Sequence, residues 1–216
     1  MQKLTPEGYR VTMAKVFDTD AVDILAMARG LSMDCKLFSH QLENNHISVQ
    51  FLVEYRIHKG ILVAGEIAVF DMQNLKPQHY AKLFTPTCLK FVKFCFLNYP
   101  FMIKKVFVVN CHPILEKGVA LCKTVLPKKL ADRVITLSKA NDIKKYIPLE
   151  CVPQDFGGTE RSFEELQKAW KKFMIDQNDF FQVLNKSKPI GAIPKEFESY
   201  ENEFGVDGSF RKLNID

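Results

Sequence analysis

KVFVVN at 105–110 is a nearly continuous apolar run, the pattern of a strand covered on both faces. Upstream, GEIAVFD at 65–71 reads as a short buried strand. GYRVTMAKVFD at 8–18 sets Tyr9, Val11 and Met13 against Arg10 and Thr12, which suggests an early strand. Val134 to Leu137 reads as a further strand. Helical periodicity fills the spaces between. Thr19 or Asp20 caps a helix through 21–38 with Ile24, Leu25, Ala28 and Leu31 on one face. Pro77 opens a long apolar helix that ends before Pro100, and Thr85-Pro86 kinks it or splits it in two. Residues 114–126 form a helix, Asp142 to Tyr146 a short one, and Ser162 to Met174 another that begins with a Ser162–Glu165 capping box. Strands alternating with helices imply an α/β domain with a mostly parallel sheet. The domain is expected to span 1–184, with 185–216 a charged, weakly periodic tail.

The composition agrees with a globular chain of 216 residues: 47% apolar, 12% aromatic and 25% charged, too apolar for intrinsic disorder. Its net charge of +5 favours an anionic partner surface without naming one. No run of 18 apolar residues offers a membrane span, and MQKLTPEGYR lacks the apolar region of a secretory signal. The six cysteines sit in apolar segments and never as C-x-x-C, so they read as reduced, buried small hydrophobes. The five histidines form no i, i+4 ligand pair, and no metal is expected.

Motifs for common chemistries are absent. There is no P-loop, no G-x-G-x-x-G after the first strand and no G-x-S-x-G elbow. Cys111-His112 are neighbours in sequence, whereas catalytic Cys–His pairs meet through the fold; Cys111 reads as core and His112 as part of a helix-start turn. Asp71 ends its strand where α/β folds place ligand contacts, and it fits a turn or capping residue as well. No enzyme is expected. Seven basic residues between Lys123 and Lys145 suit either a solvated face or an anionic membrane surface. Nucleic acid is disfavoured because no aromatic residues are interleaved there as stacking platforms. The helix over 84–96 is apolar on nearly every side, so it is deeply buried or faces a cavity that holds something apolar.

Several stretches together resemble the CRAL-TRIO lipid-binding domain: GEIAVFDMQNLKPQHYAKLFTPT at 65–87, YPFMIKKVFVVNCHPIL at 99–115, LPKKLADRV at 126–134 and YIPLECVPQDFGG at 146–158. The last is similar to the family's closing pattern, which ends in an acidic–aromatic–Gly–Gly turn. The resemblance covers roughly residues 8 to 176, and is nearest to the animal α-tocopherol-transfer and retinaldehyde-binding-like members.

The resemblance implies a sheet floor and helical walls around one apolar ligand, closed by a mobile gate helix. That gate would span about 113–126, with Leu115, Val119, Cys122, Val125 and Leu126 facing the cavity and Ile114 and Leu121 touching membrane. Ala68, Phe70, Val106 and Val108 would form the floor, and Phe91, Phe94, Cys95 and Tyr99 a wall. Ordinary core is the competing reading for each, since cavity walls and cores share one alphabet. The resemblance also implies a basic patch for phosphatidylinositol phosphates. Lys104, Lys129 and Arg133 match it, while Met102 replaces one basic member.

Three departures shape the expectation. The chain opens almost at the first strand, so the family's N-terminal helical lobe is expected to be lacking. SVQFLVEYRIHKGILV at 48–63 looks like an atypical insert. Phe101 follows Tyr-Pro where the phosphatidylinositol-exchanging branch has an acidic residue, which leaves retinoid, tocopherol or another small lipid as cargo. The expected function is a cytoplasmic carrier that uses no cofactor and touches membranes transiently and peripherally. The alternative is a membrane-targeting or lipid-sensing module that transfers nothing.

Overall fold

A computed structural model of the protein describes residues 3–15, 49–75, 80, 84–97 and 101–186. Strands β1 (Tyr9–Lys15), β2 (Gly65–Asp71), β3 (Ile103–Val109) and β4 (Val134–Leu137) form one sheet in the order β1-β2-β3-β4. Every neighbouring pair is parallel, with Thr12 beside Ala68, Ala68 beside Val106 and Val106 beside Val134. A parallel pair needs a crossover over a face of the sheet, so both faces of the inner strands become covered. β3 is an inner strand, which is why KVFVVN shows no polar alternation. Its Val106, Phe107, Val108 and Val109 are all buried.

The helices are α1 (Val49–His58), α2 (Pro86–Leu97), α3 (Pro113–Val125), α4 (Lys128–Ala131), α5 (Phe163–Asp176) and α6 (Asn178–Lys186). α2 starts at Pro86, a position where the missing N–H costs nothing, so the expected break falls there. The helix expected over 21–38 lies outside the described residues. The segment expected as a short helix from Asp142 is a 3-10 turn, Ala140–Lys145, closed by i→i+3 bonds such as Tyr146 N–H to the Ile143 carbonyl. Two further 3-10 turns, Leu149–Cys151 and Gln154–Phe156, lead into the Gly157-Gly158 turn. Gly157 has a φ of 73°, and a Cβ on Gly158 would lie 1.9 Å from the Val152 carbonyl oxygen, so both positions require glycine.

α5 carries the capping box in full: the Ser162 hydroxyl accepts from the Glu165 N–H, and the Glu165 carboxylate accepts from the Ser162 N–H. α6 lies beyond the helices expected from the sequence. Its Phe180 and Phe181 pack with Phe173 of α5 around Tyr55 of α1, with ring centroids 4.9–6.4 Å apart. The 48–63 segment thus contributes a packed helix. Val53 is buried, and the Arg56 guanidinium pairs with the buried Glu66 carboxylate of β2 while stacking 4.3 Å from the Phe101 ring centroid.

Period-two alternation sorts the sheet into two layers. Val11, Ile67, Val69, Phe107 and Val109 face one core, closed by Ile143, Ile147, Cys151, Val152, Phe156, Phe163 and Leu166. Val106, Val108 and Val134 face the other, beneath α2 and α3.

Candidate functional site: the apolar face beneath two helices

The second layer holds the candidate site. Ala68 and Phe70 of β2 and Val106 and Val108 of β3 project from one face, in register as the pairs Ala68–Val106 and Phe70–Val108. α3 lies over them because Leu115, Val119 and Leu126 recur at helical spacing and are buried in the same cluster. Cys122 and Val125 are half-buried. The helix approaches closely at Gly118, where a Cβ would lie 2.0 Å from the Phe84 ring. On the opposite side of α3, Ile114, Lys117 and Leu121 form an exposed stripe at i, i+3 and i+7; Ile114 is 56% and Leu121 44% exposed. For Phe91, Phe94 and Cys95 only the α2 backbone is described, and their side chains, like the whole of Tyr99, lie outside the described residues.

The two faces of β2 are sealed to different degrees, whereas β3 is buried on both. On the inner strand β2, Ile67 and Val69 are 4% and 1% exposed toward the first core, while their neighbours Ala68 and Phe70, toward α2 and α3, are only half-buried. Met72, Leu75, Phe84, Val92 and Phe96 border that second face and are half-buried too. The residues expected to line a cavity do not include these five, although Phe84, Val92 and Phe96 lie on the 84–96 segment expected to be deeply buried or to face one.

The start of α3 is built from four consecutive residues. Asn110 has a φ of 53°, a left-handed conformation that asparagine tolerates better than most residues. Its Nδ2 donates to the buried Asp71 carboxylate at 2.7 Å, and its Oδ1 accepts from the Ala140 N–H at 3.0 Å. Asp71 also accepts from the Gln73 N–H and lies 3.4 Å from the Lys15 ammonium, so it ties a turn together. Cys111 is buried and donates its N–H to the Leu137 carbonyl. Burial, reinforced by the Glu116 charge, pushes its thiol up to about 11. His112 is the N-cap: its Nδ1 accepts from the Ile114 N–H at 3.3 Å, and Pro113 takes the first helical position.

The basic residues gather near the strand starts with unequal freedom. Lys129, on α4, is exposed beside exposed Lys128. The Arg133 guanidinium donates to the Ile103 carbonyl, and the Lys104 ammonium sits 5.1 Å from the Tyr9 ring centroid, toward the first core. Arg133 and Lys104 therefore have structural contacts, and Lys128 and Lys129 offer the more open cationic surface. Among the described residues no group of three or more His, Cys, Asp or Glu is placed to hold a metal, and no helix is long and apolar enough to cross a membrane.

The CRAL/TRIO domain family profile matches residues 17–158. Among solved structures, one described as the crystal structure of Sfh5 is similar over 79% of this chain at 13% identity, with a TM-score of 0.43. The match spans 58% of that structure's chain. With the profile covering most of the sheet and the helices over its half-sealed face, this chain belongs to the CRAL/TRIO domain family, whose modules bind and transfer lipids and other small hydrophobic molecules.

Proposed function

We propose that this chain is a non-enzymatic carrier that holds one small hydrophobic molecule against the Ala68–Phe70 face, with α3 as the gate. The observation that carries the reading is the unequal sealing of β2: apolar side chains of an inner strand stay half-buried on this face alone. Apolar surface left accessible on an inner strand favours an apolar occupant. At about 25 cal/mol per Å², a ligand burying roughly 300 Å² gains on the order of 7 kcal/mol. The wall of the cage is assigned to α2 and the residues after it, Phe91, Phe94, Cys95 and Tyr99. Retinoid- or tocopherol-sized lipids fit the α-tocopherol-transfer-like resemblance and the apolar Phe101 after Tyr-Pro.

The exposed stripe of Ile114 and Leu121 is where α3 would enter a bilayer surface. Lys129, helped by Lys128, would draw it to phosphatidylinositol phosphates, with Arg133 and Lys104 in a secondary role. The working compartment would be the cytoplasm, with transient, peripheral membrane contact. A liposome-to-liposome transfer assay with a fluorescent retinoid or tocopherol analogue tests the reading. Transfer is expected to need α3 mobile, and to fall several-fold in Lys128→Glu/Lys129→Glu when acceptors contain phosphatidylinositol phosphates. Binding to those vesicles without transfer of any analogue would refute the carrier reading. The targeting module, whose working parts would be this apolar stripe and the same lysines, would then take its place.

A further inference from the structure

We infer that His112 is a proton-sensitive latch at the start of α3; the consequence for release rests on the gate reading above. The chain below the latch is fixed. Asn110 is bonded to both Asp71 and the Ala140 N–H, and the Cys111 N–H is bonded to the Leu137 carbonyl. The chain above it is helix, beginning at Pro113. Any outward swing of α3 therefore pivots next to His112, whose side chain closes the first turn by accepting the Ile114 N–H.

Only a neutral imidazole has a lone pair for that bond. Serine, threonine, aspartate and asparagine, the usual N-caps, keep an acceptor across the neutral range; histidine is the residue that ordinarily changes charge there. Protonation removes the acceptor and places a positive charge at the positive end of the helix dipole, so both effects act in one direction. The cap exists only while the ring is neutral. The charged groups linked to it along the chain or through Asn110 are Glu116 and Lys117 on the same helix, Asp71, which bonds Asn110 and pairs with Lys15, and exposed Lys139, next to the Ala140 that donates to Asn110. Glu116, one turn along, is the group that would attract an imidazolium and moderate the effect. An anionic membrane concentrates protons at its surface, so the latch would weaken where cargo is delivered.

Hydrogen exchange of the Glu116 and Lys117 amides, corrected for intrinsic rates, reads the latch directly. As the pH is lowered from about 7.5 to about 5.5 the open fraction of the first turn should rise toward a ceiling of about fivefold, the equilibrium equivalent of a typical lost cap. His112→Asn, which keeps an acceptor at both pH values, should stay within about twofold, and His112→Ala should be open throughout. A pH response that survives in His112→Asn would assign it to Glu116 or Asp71 and overturn the inference. Release of a bound fluorescent lipid to uncharged phosphatidylcholine vesicles, measured on the same proteins, separates the two readings. Faster release at low pH in the parent chain alone supports both, whereas a pH-sensitive first turn with unchanged release supports the latch and refutes α3 as the gate.

Discussion

Replacing Arg56 with methionine leaves the Glu66 carboxylate, 2% exposed, without its guanidinium partner between α1 and the sheet. Removing one member of a buried ion pair ordinarily costs about 3–5 kcal/mol, because the remaining charge keeps its desolvation penalty and loses its compensation. Arg10 stands beside Glu66 in the β1–β2 register and supplies part of the lost attraction, which places the expectation near the lower end, about 3 kcal/mol. For a chain of this size that corresponds to a fall of roughly 6–12 °C in Tm. Trp170, the only tryptophan, packs edge-on against Phe173 at 5.4 Å, and Phe173 packs on Tyr55 of α1, so its fluorescence reports unfolding near the perturbation. Urea unfolding followed by Trp170 fluorescence and by circular dichroism checks the size and the cooperativity. The double change Arg56→Met/Glu66→Gln should recover most of the loss, since a neutral amide has no ion to desolvate. A cost below about 1 kcal/mol for Arg56→Met, or a double variant no better than the single one, would refute the pairing as an anchor for α1.

Gly118→Ala should destabilise the chain by about 1–2 kcal/mol despite alanine's better helix propensity, because the new methyl meets the Phe84 ring; Gly118→Ala/Phe84→Leu should recover part of it in thermal unfolding. Asn110→Ala should cost about 2–4 kcal/mol through its two lost hydrogen bonds and its left-handed backbone, and Asn110→Gly should cost about 1 kcal/mol less because the backbone strain is relieved. Cys111 should resist alkylation at neutral pH in the folded chain. Because burial favours its neutral form, the stability it contributes is complete below about pH 9 and is lost as pH rises toward 11; Cys111→Ala should flatten that part of the pH–stability curve. Ala68→Leu should fill the half-sealed face and reduce lipid loading severalfold with little change in Tm, as extraction and thermal unfolding of the same sample would show.

The sheet was legible because its signals are local. An inner parallel strand buried on both faces is apolar almost throughout, so KVFVVN identifies itself without knowledge of its neighbours, and GEIAVFD does so through its short apolar centre, Ile67 to Phe70. The Ser162–Glu165 capping box and Pro113 mark helix starts for equally local reasons. What depends on contacts across the fold was not legible. Arg56 looks like a surface cation in α1, and only the sheet supplies the Glu66 that permits its burial. α6 is held by Phe180 and Phe181 against Tyr55, more than a hundred residues earlier in the chain, and no local pattern announces that pairing. That Ala68, Phe70, Val106 and Val108 share one face follows from alternation once the strands are placed. Whether an apolar position is sealed or half-open, as Val69 and Phe70 differ, depends on the helix above it. The basic residues show the same limit: Lys129 and Arg133 look equivalent in LPKKLADRV, yet Arg133 is bonded to the Ile103 carbonyl and Lys129 is exposed.

Native mass spectrometry of the purified chain, followed by organic extraction and identification of whatever it holds, tests the carrier reading most directly. The prediction is one small apolar molecule per chain, exchangeable for a labelled analogue supplied in vesicles. A cooperatively folded chain that arrives empty and takes up no analogue would contradict it.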